Sequence, residues 1–170
     1  LGVDHVSRIS PRKFFLKAKR FKFLHISSCF PRKGIDLLVS SYISAFTHSD
    51  DVSLIIKTFK NPHNNLNKII ENYNSKNIKL PHIVVIEDDL SDDEILYLYK
   101  ISDALVAPSR GEGFGLPIAE AMLQNLPVIT TSWGGQKDFC DNENSWLIDY
   151  EYQYSRSHFD ISSSVWAEPS

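Results

Sequence analysis

Short apolar runs alternate along this chain with longer stretches in which apolar residues recur every three to four positions. Residues 21–27 (FKFLHIS), 53–58 (SLIIKT), 83–86 (IVVI), 104–107 (ALVA), 128–131 (VITT) and 144–149 (NSWLID) read as strands. The run at 83–86 is continuously apolar and β-branched, which suits a sheet covered on both faces. Between the strands lie helical spacings. Ile35, Leu38, Val39, Tyr42, Ala45 and Phe46 form one stripe; Leu66, Ile69, Ile70 and Tyr73 form a second, which the polar residues 74–77 end. A third helix runs to Lys100 behind a capping box, Ser91 with Glu94 three positions on, and its Asp92 and Asp93 complement the helix dipole. The fourth opens at Pro117 and stops at Gln124-Asn125-Leu126-Pro127, where Asn125 suits a left-handed helix end. Alternating βα units predict a three-layer, Rossmann-like α/β domain with a parallel sheet of about six strands. Residues 150–164 carry three tyrosines without a sustained period and read as a long insertion or loop.

Composition narrows the class. The chain has 170 residues, 42% of them hydrophobic, enough for one sizeable core and a single domain. A net charge of −3 gives no electrostatic case for nucleic acid as a partner. Basic side chains dominate residues 1–20, where Arg8, Arg12, Lys13, Lys17, Lys19 and Arg20 stand against Asp4; that segment reads as a linker. Cys29 and Cys140 lack metal-ligand spacing, so free thiols in a reducing cytosol are expected. No apolar run approaches the ~20 residues of a membrane span, and a soluble, cytoplasmic protein is expected. The histidines are scattered, and His25, inside a strand, is expected in the core. The acids between Glu87 and Glu94 fan along a loop and serve the helix that follows rather than a metal.

Candidate chemistry concentrates at residues 111–122, GEGFGLPIAEAM, which read as a loop after the fourth strand followed by a helix N-terminus. Such a terminus presents free N–H groups and a partial positive charge, and glycines let an anionic ligand approach the backbone. Glu112 and Glu120 frame it, eight positions apart, and carboxylates beside such amides suit sugar hydroxyls better than phosphates. Taken singly, Glu120 is equally a residue favoured by the helix dipole. The turn SSCFPRKG at 27–34 sets Arg32 and Lys33 at the carboxyl edge of the sheet, where ligands of open α/β folds bind. Trp133 and Gly134 end the fifth strand on that edge, and Trp133 reads either as a border of the ligand or as a packing residue between domains.

The E-x7-E spacing around GFGLP, with GVD at residues 2–4, FPRKGID at 30–36, LYKISDALVAPSRGEGFGLPIAEAM at 98–122 and WAEPS at 166–170, closely resembles the family-4 retaining glycosyltransferases. The likeness is to the C-terminal, nucleotide-sugar-binding half of their GT-B fold. It implies that residues 1–20 link to an absent N-terminal acceptor domain, and that 21–170 form the donor domain, stopping before the family's final helices. It further implies Lys33 and Glu112 as catalytic residues. Donor contacts would come from Arg32, Lys33, Glu112, Gly113, Phe114, Gly115, Leu116 and Glu120, with Glu120 on the ribose and main-chain groups of Ile86 and Glu87 near the base. The family usually has Gly-Arg where Ser27 and Ser28 stand, so the Arg is missing here, and Arg32 stands beside the matching Lys33. The donor would be a UDP- or GDP-linked sugar, used without a metal or other cofactor, and the acceptor a sugar or a lipid-linked glycan. The longer protein would meet the inner face of a membrane peripherally. Three other readings compete. A nicotinamide-dependent oxidoreductase lacks its G-x-G-x-x-G in the first βα turn. A non-catalytic phosphate-binding or response-regulator module would use Asp88 and Asp89, and a sugar-nucleotide epimerase would share the GT-B fold.

Overall fold

The six apolar runs pair into one parallel sheet: β1 Phe21–Ile26, β2 Val52–Lys57, β3 His82–Ile86, β4 Ala104–Ala107, β5 Val128–Thr131 and β6 Trp146–Ile148, in spatial order β3-β2-β1-β4-β5-β6. The computed structural model describes residues 2–3, 6, 8–75, 79–155 and 164–170. Asp4, Asn77 and the middle of the 150–164 segment, named above, lie outside the described residues. Helices α1 Ile35–Ala45, α2 Leu66–Asn74, α3 Asp92–Ile101 and α4 Leu116–Leu123 fill the connections.

Both faces are covered, and strand alternation decides which residue goes where. Leu54 and Ile56 of β2 pack with Ile35, Leu38 and Val39 of α1 and Leu66 of α2. Ile55, between them, turns to the other face and joins Leu98 and Tyr99 of α3 and Ile118 and Ala121 of α4. The domain is therefore the expected three-layer α/β sandwich with a six-stranded parallel sheet. Local signals behave as read. Ser91 and Glu94 form the capping box of α3, and Asn125 takes a φ of 55° behind α4. His25 is buried at 2% exposure, and both cysteines are free thiols in the interior.

One expectation is corrected. Residues 150–154 are not a loop: Tyr150–Tyr154 is a strand, β7, that pairs antiparallel with β8, Val165–Pro169. The alternation of Tyr150, Tyr152 and Tyr154 was its signal, blurred because glutamate and glutamine fill the other face and that face is exposed too. The segment before β1 lies along α3. Arg12 bonds to the Asp93 carbonyl and to the Ser91 hydroxyl, and Phe14 packs edge-on against Tyr97. Among the described residues, no helix is long and apolar enough to cross a membrane.

Candidate functional site

β1 and β4 are neighbours, yet the chain leaves β1 for α1 on one face and leaves β4 for α4 on the other. The loops after these strands diverge, and a crevice opens at that switch in strand order. Two sequence candidates meet at its mouth as paired lips: the 27–34 turn lines the crevice, and the 108–115 loop packs against that turn. They are laced together by main-chain contacts: the Arg110 amide donates to the Arg32 carbonyl at 2.7 Å, and the Ser109 hydroxyl reaches the same oxygen at 3.2 Å. Gly34 lies where the loops touch. Its φ is 68°, and a Cβ there would collide with the Pro108 carbonyl, so only glycine closes this turn.

Across the lips, Lys33 Nζ donates to Glu112 Oε1 at 2.5 Å, and the Ser109 hydroxyl donates to the same oxygen at 2.8 Å. Arg32 Nη1 donates to the Gly111 carbonyl at 3.0 Å and lies 3.8 Å from the other Glu112 oxygen. Burial lowers the Lys33 pKa; the Glu112 charge and hydrogen bond oppose this, and Arg32 adds to it. Glu112 is thus a shared counter-ion for two cations at the mouth of α4. Gly113 and Phe114 lead into that helix, with Gly115 as its N-cap at φ 84° and Leu116 as its first residue. Phe114 packs on Phe139 at 5.2 Å, which anchors the glycine loop from outside. From the next strand end, the Gly135 amide donates to the Glu112 carbonyl at 3.0 Å, and a Cβ on Gly135 would strike the Gly113 carbonyl. The glycine pair after Trp133 therefore holds the loop in place. Trp133 itself packs on Tyr150 and Tyr152, with ring centroids 5.6 and 5.2 Å away.

The crevice encloses about 420 Å³ and is lined by Ser27, Ser28, Arg32, Lys33, Lys57 and Pro117 among others. A wider cavity of about 790 Å³ adjoins it through the shared residues Phe59 and Asp89, and Glu87 and Asp88 line that one. Ile86 is buried at the end of β3 beside it. Glu120 is set apart from the lips. Its Oε2 accepts from the Tyr99 hydroxyl at 2.8 Å, and it lines a small cavity of about 30 Å³ that shares Ile95 with the crevice. Burial, then the Glu120 charge, pushes the Tyr99 pKa well up, so Tyr99 remains the donor and fixes the carboxylate. Tyr99 has no local sequence signal beyond its apolar register.

Sequence reasoning named no partner for Arg110, and the structure supplies several. It is 4% exposed and makes forked pairs to Asp36, at 2.7 and 2.8 Å, and to Glu168, both at 2.7 Å. It also donates to the Pro31 carbonyl and lies 4.7 Å over the Trp166 ring. Burial opposes its charge, yet the hydrogen bonds it donates to Asp36 and Glu168, with their charges, outweigh that and raise its pKa. This guanidinium ties the first loop, the start of α1 and β8 into one support beneath the lips. Ser109 was likewise unassigned, although it stands three residues before the Glu112 that it orients.

The sequence profile described as glycosyl transferases group 1 matches residues 6–155. Over 112 residues the chain is 34% identical to an uncharacterised glycosyltransferase of Methanocaldococcus jannaschii, covering 66% of this chain and 29% of that protein. It is 31% identical to the O-antigen chain mannosyltransferase of Salmonella typhimurium, covering 68% of this chain and 31% of that one. The chain thus spans less than a third of the length of these curated relatives. Its fold superposes on the crystal structure of the C-terminal domain of a glycosyl transferase group 1 family protein from Francisella tularensis. The TM-score is 0.68 at 22% identity, with 86% of this chain and 80% of that domain covered.

Proposed function

The chain belongs to the group 1 glycosyl transferases, and on that premise we propose that it is the donor-binding domain of a retaining enzyme. Joined to an acceptor-binding domain, it transfers a sugar from a nucleoside diphosphate sugar to a glycan or lipid-linked acceptor at the cytoplasmic side of a membrane. The observation that carries this reading is the Lys33–Glu112 pair at the N-terminus of α4, inside the crevice where β1 and β4 part. Breaking the bond from sugar to diphosphate leaves negative charge on the departing phosphate. A lysine and a helix N-terminus, fixed in advance, stabilise that charge as it develops and need no metal to do so. Arg32, at the same lip, adds positive charge beside the diphosphate.

Glu112 has the opposite task. Its carboxylate, with the amides of Gly113, Phe114, Gly115 and Leu116, holds sugar hydroxyls and thereby the orientation of the anomeric carbon. Glu120 takes the ribose hydroxyls, and the main chain of Ile86 and Glu87 meets the base across the wider cavity. Because a relative is a mannosyltransferase, a mannosyl nucleotide is the first donor to try.

Calorimetric titration with UDP, GDP and ADP, with and without Mg²⁺, tests the assignment. One nucleotide is expected to bind selectively and equally well in both buffers, with its affinity lowered in Glu120→Ala. Unchanged affinity in that variant would remove the ribose role, and the absence of binding by every nucleotide would remove the donor reading.

A further inference from the structure

Three basic side chains line the crevice and a fourth, Arg110, lines a neighbouring cavity behind the 27–34 turn; three of the four are already matched by acids. Lys33 and Arg32 face Glu112, while Arg110 is held by Asp36 and Glu168. The remaining one is Lys57. It ends β2, flanked in register by Ile26 of β1 and Ile86 of β3. Strand alternation turns it to the same face as Ile55, the face that carries α3 and α4. It therefore enters the crevice from the floor, opposite the Pro117 end of α4.

Its burial makes it informative. Lys57 is 8% exposed, and its ammonium donates to the Thr58 carbonyl at 2.7 Å. Among the described residues, no carboxylate lies within 4.0 Å of it. Asp89 lines the same crevice without pairing to it. An ammonium has three donors and a full charge, and one carbonyl satisfies neither in full. Burying a charge without a counter-ion is costly, and an apolar side chain of the same length would fill this place at no such cost. A ligand of opposite charge resolves the imbalance.

We propose that the Lys57 ammonium is a phosphate ligand of this crevice, gripping the diphosphate from the β2 side. The inference rests on the donor-binding reading and adds to it a residue from a strand that carries no glycine loop. Lys33 shares its charge with Glu112; Lys57 has its charge available for the phosphates. The two cations then approach the diphosphate from neighbouring strand ends, with the α4 N-terminus on the facing wall.

The experiment is a titration of the chain, and of its Lys57→Met and Lys57→Arg variants, with UDP, GDP and ADP. Lys57→Met is expected to weaken the preferred diphosphate about tenfold or more, as loss of one charge-assisted hydrogen bond requires. Lys57→Arg is expected to keep most of the affinity. Should Lys57→Met fail to fold, Lys57→Gln serves in the same comparison. Equal affinity in wild type and Lys57→Met overturns the proposal, and so does an equal loss in the Met and Arg variants, which would mark a need for shape rather than charge. A wild type that binds none of the three nucleotides defeats the donor reading and this proposal together. Binding that falls in Glu120→Ala but not in Lys57→Met defeats this proposal alone.

Discussion

Glu112 meets Lys33 and Ser109 on one oxygen, with Arg32 beside the other, so its charge is spent before any ligand arrives. Replacing it with glutamine frees Lys33 for phosphate. Glu112→Gln is therefore expected to bind a bare nucleoside diphosphate more tightly, while sugar transfer by the complete enzyme falls on the order of a hundredfold; parallel titrations and turnover assays would check both. His25 answers a different question at the same scale. Its Nδ1 donates to the Val106 carbonyl, so Nε2 accepts from the Ser27 hydroxyl, which in turn accepts from the Cys29 amide. The ring thus shapes the first turn of the site, where Cys29 has a φ of 53°. Burial lowers its pKa from 6.5 to about 4, helped by Lys33 and opposed by the bond to Val106. Above pH 6.5 both folded and unfolded chains carry it neutral. Below that the unfolded chain takes up a proton that the folded one refuses, so stability present at pH 7 is lost as the pH falls from 6.5 to about 4. The loss is expected to reach ~3 kcal/mol in urea unfolding and to be reduced in His25→Asn.

At the scale of elements, the ends of helices and strands decide the site. α3 starts at its capping box, and Ser91→Ala is expected to cost about 1 kcal/mol by thermal unfolding. That much was written locally, in residues three apart. The C-terminal hairpin is the contrary case. Glu168 and Trp166 of β8 hold Arg110, which in turn holds Asp36 and the Pro31 carbonyl. Arg110→Met leaves two carboxylates facing one another without their cation. It is expected to destabilise the fold by ~3–5 kcal/mol in denaturant titration, and to weaken nucleotide binding because the 27–34 turn loses its anchor. Nothing within a few residues of Arg110 announces this, since its acidic partners lie 74 and 58 positions away.

For the whole molecule, the parallel sheet buried on both faces leaves its carboxyl edge as the surface where loops from every strand converge. The Lys33–Glu112 pair, the α4 N-terminus and the Lys57 floor face a crevice continuous with a cavity large enough for a base. On the proposed reading this edge takes the donor, and an acceptor needs a second wall. With a preferred sugar nucleotide and a candidate acceptor, this chain alone is expected to release no more nucleoside diphosphate than a blank. The same chain joined to an acceptor domain is expected to turn over, and a chromatographic assay of released diphosphate compares the two.

The sequence by itself determined the order of strands and helices, the cap at Ser91, the left-handed Asn125 and the glycine loop before α4. Each depends on spacings of a few residues, where periodicity and backbone preference act directly. It also held an alternation at 150, 152 and 154 whose meaning depended on a distant partner strand. Only the tertiary structure decided that Lys33 would meet Glu112, 79 residues away, that Arg110 would be locked between two acids, and that Lys57 would be buried with no acid paired to it among the described residues. The reason is geometric: strand order, set by packing both faces of the sheet, chooses which loop ends become neighbours, and charge pairing follows that choice.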